Sequence, residues 1–170
     1  MRNIILTLCY DGTNYHGFQR QKNGITIQEV VETAIEKVTG ENVSITGCSR
    51  TDAGVHAAKY VCNFKTKSFV PADKFCFALN SYMPADVSCT SSAETYLDFH
   101  ARFSAKNKTY TYTIFNAPHS NPILCRFAWH YPLKIDVEKM KIAAASIVGT
   151  HDFTAFMATG GQQKTTVSWT

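Results

Sequence analysis

The chain has 170 residues, 45% of them apolar, with a formal net charge of +4. That length supports one core-bearing domain, or one and part of a second, and no apolar run nears the roughly 18 residues that span a bilayer. The six cysteines, Cys9, Cys48, Cys62, Cys76, Cys89 and Cys125, form no Cys-x-x-Cys pair and have no His at zinc-ligand spacing, so reduced core thiols in a cytoplasmic protein are expected rather than a disulfide framework or a metal site.

Met1-Arg2-Asn3-Ile4 runs straight into a strand pattern, so no signal peptide is expected. Asn3 to Cys9 reads as the first strand, and Tyr10-Asp11-Gly12 as the turn that ends it. Tyr15 to Gln21 is a loop of aromatics, amides and an arginine, a mixture that suits RNA and equally an ordinary amphipathic loop. Thr26-Ile27-Gln28-Glu29 is a capping box. Ile27, Val30, Val31, Ala34, Ile35 and Val38 then recur at helical spacing until Gly40, with the glutamates expected toward solvent.

Val43 to Cys48 and Ala58 to Lys65 read as strands joined by a polar turn that holds Arg50 and Asp52. An arginine beside a carboxylate favours its ionised form, and Ala53 and Gly54 add little bulk, so a large partner could approach. Pro71 opens a helix over Ala72 to Asn80, Pro84 bars its continuation, and Asp86 to Thr95 reads as a strand. Strand, helix, strand, strand, helix, strand is the ferredoxin-like order: an antiparallel sheet with both helices on one face and the other face free for a ligand.

Beyond this, Lys108 to Phe115 alternates as a β-prone strand, Pro118 to Pro122 is a loop, and Arg126 to Tyr131 is a strand. Asp136 caps a helix through Val148, with Val137, Met140, Ala144 and Ile147 inward and Gly149 at its end. The tail, Thr150 to Thr170, is rich in Gly and Thr. The domain expectation is 1–105 for the ferredoxin-like unit and 106–170 for the incomplete start of a second α+β unit. Residues 53–72 and 99–135 carry basic residues and no acid, while Glu29, Glu32, Glu36 and Glu41 lie on or beside one helix. Such segregation suits a cationic face for a polyanion.

Arg50-Thr51-Asp52-Ala53-Gly54-Val55-His56-Ala57 resembles the signature of the TruA-type tRNA pseudouridine synthases. Phe99-His100-Ala101-Arg102-Phe103-Ser104-Ala105 resembles another family segment, as does Gly17-Phe18-Gln19-Arg20-Gln21, where the family usually has Trp in place of Phe18. The resemblance implies that Asp52 is the catalytic carboxylate, with Arg50 beside it and the Tyr110 ring against the target base. It implies Gln19, Arg20, Gln21, His56, Arg102, Phe103, Lys106 and Lys108 as further substrate contacts. The activity implied is isomerisation of uridine to pseudouridine at positions 38–40 of the tRNA anticodon arm, by a homodimer and without cofactor or metal. The resemblance covers the whole chain but only the first two-thirds of a family protein. The remainder would supply a second arginine to the Asp and an apolar wall of the pocket, so the chain is expected to be a fragment with little activity alone. Two other functions fit the same element order. One is a non-catalytic RNA-binding module, although Lys59 to Phe64 lacks the glycines of an RRM central strand. The other is a small-ligand enzyme, although no Gly-rich phosphate loop is present.

Overall fold

A computed structural model describes residues 1–157 and 167–169. The chain divides into two compact units, Met1–Tyr110 and Thr111–Thr170.

The first unit is built on β1 (Arg2–Tyr10), α1 (Ile27–Thr39), β2 (Thr46–Gly47), β3 (Ala57–Thr66), α2 (Phe75–Asn80) and β4 (Val87–Thr95). The sheet order is β2-β3-β1-β4 and every pairing is antiparallel. This is the expected ferredoxin-like α+β sheet. Period-two alternation sends Ile4, Leu6, Leu8 and Tyr10 to one face. All four are buried, with Tyr60, Cys62 and Phe64 of β3, Ile27, Val31, Ala34 and Ile35 of α1, and Phe75 and Leu79 of α2. Each fully buried leucine contributes about 1.5–3 kcal/mol of transfer free energy, so this face holds the unit together.

α1 has the expected bounds. The Thr26 hydroxyl accepts the Glu29 N–H at 3.3 Å, and Gly40 ends the helix in the left-handed region, its N–H donating to Glu36 O at 2.7 Å. One expectation for this helix fails. Glu32 does not face solvent but is buried, where its Oε1 accepts the Ile45 N–H at 3.0 Å and a Gln28 N–H at 2.7 Å. β2 is only two residues long, its pairing with β3 being confined to Thr46↔Asn63 and Gly47↔Cys62, although the sequence pattern runs from Val43. The helix expected over Ala72 to Asn80 starts as a 3-10 turn, Ala72–Lys74, capped by Pro71, before becoming α2.

On the opposite sheet face, Asn3 and Asn63 are buried side by side. Asn63 donates to Asn3 Oδ1 at 3.0 Å and accepts the Ala101 N–H at 2.9 Å, while Asn3 donates to the carbonyls of Tyr96 and Phe99 at 2.8 and 3.0 Å. The two amides tie the turn at 96–101 onto the sheet.

The second unit contains β5 (Ile114–Asn116), β6 (Trp129–Tyr131), α3 (Val137–Ala145), β7 (Thr150–Asp152) and β8 (Val167–Trp169). β5 and β6 pair in parallel, whereas β7 and β8 pair antiparallel within the Gly- and Thr-rich tail. The rest of that tail, 158–166 and 170, lies outside the described residues. Three expectations need correction. Residues 108–113 are irregular, because β propensity is realised only against a partner and pairing begins at Ile114. Arg126 to Ala128 belong to a turn in which Phe127 N–H and Ala128 N–H both donate to Leu124 O at 2.9 Å. α3 stops at Ala145 because Ser146 turns its N–H and hydroxyl back onto Ala143 O, at 3.2 and 2.7 Å. Its residues Val137, Met140, Ala144 and Ile147 are exposed rather than inward. A two-stranded ribbon offers too little surface to cover a helix face.

Candidate active site

The turn between β2 and β3 carries Arg50 and Asp52, and the segment after β1 holds that turn from beneath. Phe18 N–H donates to Thr51 O at 3.2 Å and Gly54 N–H donates to Tyr15 O at 3.1 Å, so the residues flanking Asp52 are each fixed by the 15–18 backbone. Val55 N–H closes the turn on Asp52 O at 3.3 Å. Gly54 adopts φ +79°, which its lack of a side chain permits. Contact between the two segments is close. A Cβ on Gly12 would overlap the Val55 carbonyl oxygen, and one on Gly17 would overlap that of Thr51.

Three tyrosines support this layer. Tyr60 stacks on Phe18 with ring centroids 4.3 Å apart, donates to Ser49 O and accepts the Ser49 N–H at 3.4 Å. Tyr10 Oη and Thr51 Oγ1 share a hydrogen bond of 3.3 Å. Tyr15 donates to Asp86 Oδ1 at 2.5 Å, and Asp86 O accepts the Asp11 N–H at 2.9 Å, pinning the segment to the start of β4. Burial raises the Tyr10 hydroxyl from its ordinary 10.0 to about 12. It drives Tyr15 and Tyr60 higher still, with the Asp86 carboxylate adding to the effect at Tyr15. All three stay neutral donors at any physiological pH.

His56 belongs to this frame. Its Nδ1 lies 3.1 Å from Gly12 N and 3.0 Å from Asp11 Oδ1. An unprotonated Nδ1 accepts from Gly12, whereas a protonated one donates to Asp11. Arg20 is also engaged, in a 3.3 Å ion pair with Glu32 and a backbone bond to Gln28 at 3.0 Å, and Gln21 donates to His16 O. Gln19 is exposed beside them.

Asp52 and Arg50 are exposed, and among the described residues they form no ion pair with each other. The expected side-chain pairing of this Arg with this Asp is therefore not formed. Arg102, Phe103, Lys106 and Lys108 are exposed on the turn and irregular segment after β4, with Phe103 stacked on His100 at 4.2 Å. Tyr110 is 68% exposed, and no ring contact or hydrogen bond links it to Asp52 among the described residues. The structure thus sets Arg50 and Asp52 on one clamped turn fixed by the 15–18 backbone just before Gln19 to Gln21, and shows no contact of Tyr110 with that turn among the described residues. Gly12, Gly17, Tyr10 and Tyr60 went unmarked in the sequence as supports of that turn. The available signal was two tyrosines on core-facing strand positions, whose hydroxyls need partners. No group of three His, Cys, Asp or Glu among the described residues could hold a metal ion.

An exposed carboxylate with no partner among the described residues, on a backbone held from both sides, can meet a substrate as base or nucleophile. Comparison with known proteins agrees. A family model described as tRNA pseudouridine synthase matches residues 8–104. A protein named tRNA pseudouridine synthase A from Thermoanaerobacter sp. (strain X514) is 48% identical over 167 residues, which cover 98% of this chain and 68% of that protein. Its counterpart from Ruminiclostridium cellulolyticum is 50% identical over the same shares, as is a tRNA pseudouridine synthase A 2 from Clostridium perfringens.

Proposed function

The chain belongs to the tRNA pseudouridine synthase family, isomerases that act on tRNA, and we propose that its substrate uridines lie at positions 38–40 of the anticodon arm. The reaction detaches uracil at nitrogen, turns it over, and rejoins it to the ribose through carbon. Atoms and electrons balance without an oxidant, so the proposed chemistry runs without cofactor or metal, with Asp52 as the reacting carboxylate and Arg50 as a neighbouring cation. The flipped base packs on Tyr110. Gln19, Arg20, Gln21, His56, Arg102, Phe103, Lys106 and Lys108 are the further candidates for tRNA contact. His56 and Arg20 would act in part by shaping the loop, since both have protein partners.

The observation that carries this proposal is the clamped turn that presents an unengaged Asp52 carboxylate. A working homodimer in the cytoplasm goes with it, supported by six cysteines that are all free thiols. Among the described residues no helix is long and apolar enough to cross a membrane. The proposed division has 1–105 carrying the catalytic turn and a second domain beginning at 106. The 170-residue form is proposed to be inactive or nearly so by itself. Supporting this, Asp52 stands open to water, which weakens electrostatic preorganisation, and α3 buries none of its residues.

The test is hydrogen release from labelled tRNA, run on this chain and on a form extended to the length of its relatives. Asp52→Asn in the extended form should abolish turnover and leave tRNA affinity within about twofold, since affinity is spread over many phosphate contacts. Measurable turnover by that variant would remove Asp52 from the reaction. Full turnover by the 170-residue chain would refute the proposed inactivity.

A further inference from the structure

Far along β3 from Asp52, the sheet opens into a second polar site. β2 pairs with β3 only at Thr46↔Asn63 and Gly47↔Cys62, and residues 42–45 before it lie outside the ladder. From the opposite sheet face the turn at 96–101 is fastened down by Asn3 and Asn63. Between these two segments lies a pocket of about 410 Å³, within the range of small-ligand sites. Asn42, Ser44, Thr46, Lys65, Asp98 and His100 line it.

None of those six side chains makes a hydrogen bond or ion pair with another described residue. His100 Nδ1 is fully buried and has no partner, a condition that ordinarily costs about 1–3 kcal/mol. One cation, one carboxylate, an amide and two hydroxyls thus line one pocket with no protein partner among the described residues, and an unpartnered imidazole nitrogen is buried in its wall. A simple anion would leave Asp98 repelled, and a metal would be repelled by Lys65. A ligand that joins an anionic group to hydroxyl donors and a mixed donor–acceptor edge satisfies the set. A nucleoside monophosphate unit has that composition: phosphate for Lys65, ribose hydroxyls for Asp98, and a base edge for the Asn42 amide.

We infer that this pocket is a second nucleotide site, separate from the Asp52 turn. Seven residue steps along β3, from Ala57 to Phe64, separate the two, about 23 Å at the rise of an extended strand. One nucleotide therefore cannot occupy both. The inference rests on the proposed RNA substrate for one source of the ligand, a nucleotide within the tRNA strand. A free mononucleotide is the other source, with the same chemistry.

The experiment is an amide NMR titration of the isotope-labelled 170-residue chain, first with uridine monophosphate and then with an unmodified anticodon-arm RNA. Lys65→Gln and Asp98→Asn serve as variants, because both residues are exposed and neither side chain has a hydrogen-bond or ion-pair partner among the described residues. Shifts at Ser44, Thr46, Lys65 and Asp98, weakened tenfold or more in the double variant and unchanged in Asp52→Asn, are expected. Shifts there with RNA alone support a site for strand-borne nucleotides. Shifts there with the mononucleotide alone support the pocket while counting against the RNA substrate. Shifts confined to residues 49–57 overturn the second site and leave the proposed function standing. Silence at the pocket with both ligands overturns it outright.

Discussion

Two glycines near the Asp52 turn share a backbone conformation and differ in surroundings, which separates two contributions to its position. Gly17 has φ +77° and Gly54 has φ +79°. An alanine at either pays the left-handed penalty of about 1–2 kcal/mol. At Gly54 a Cβ meets nothing within 4 Å, so Gly54→Ala should cost only that. At Gly17 the Cβ overlaps Thr51 O, the atom that accepts the Phe18 N–H at 3.2 Å. Either the carbonyl moves and that bond is lost, or residues 16–18 move and strain the Ile27 N–H bond to Gly17 O. Phe18 is 4% exposed, so a freed N–H finds little water and costs a further 1–3 kcal/mol, roughly. Gly17→Ala should therefore lose about 2–5 kcal/mol. Urea unfolding of the 170-residue chain, followed by circular dichroism, gives both values from the shift in midpoint at constant slope. Equal losses at the two positions, within about 0.5 kcal/mol, would show that close approach of the 15–18 backbone does not hold the turn.

Glu32→Ala should cost about 1–3 kcal/mol by stranding the Ile45 N–H, and Glu32→Gln should recover at least half of it; thermal melts showing the two variants alike would refute the buried-acceptor role. Arg20→Ala, which breaks only the half-exposed side of the same cluster, should cost under about 1 kcal/mol in the same melts. Alkaline pH should destabilise the fold, because the folded chain keeps the Tyr10 proton until about 12 while the unfolded chain gives it up near 10. Stability is thus full below 10 and falls between 10 and 12, by about 3 kcal/mol for this group, and urea midpoints measured up that range should fall more steeply than in Tyr10→Phe. In a form extended to the length of the relatives, Tyr110→Phe should keep tRNA affinity while Tyr110→Ala loses about 1–3 kcal/mol of it; equal affinities in a filter-binding titration would leave Tyr110 no stacking part.

How far the sequence revealed the molecule depended on where each determinant lay. α1 was legible because its cap, its period and its stop all sit within fifteen consecutive residues. The four strands of the first sheet were legible from alternation, and their order followed from the sequence of element types. Val43 to Ile45 was misread because alternation does not show how far an edge strand pairs, and a charged residue on a helix gives no sign that it will be buried as the acceptor of the Ile45 N–H. Lys108 to Thr113 was misread for the complementary reason. Its propensity is a readiness to pair, and only Ile114 to Asn116 find a partner, on β6.

The same distinction runs through the site. Asp52 and Arg50 were legible as candidates through the resemblance of the whole Arg50 to Ala57 string to a family signature, since charged residues in a glycine-bearing turn are ordinary turn chemistry by themselves. What fixes them was hidden, since the contacts that clamp the turn join residues 10–18 to residues 49–56, across α1 and β2 in the chain, with Tyr60 of β3 added on Ser49. The residues that shape the turn have spent their bonding capacity on one another: Tyr60 on Ser49, Tyr10 on Thr51, His56 on Gly12 or Asp11. Asp52 and Arg50 have spent none of theirs. A rigid frame that leaves its charged groups unengaged is what a loop-borne catalytic group requires, because any partner supplied within the frame would have to be displaced before substrate could bind. The absence of an Arg50–Asp52 pair is therefore compatible with a role for both. Arg50→Lys separates two forms of that role: a large loss of turnover in the extended form means a planar, two-point grip made once RNA is present, and parent-level turnover means a general positive charge.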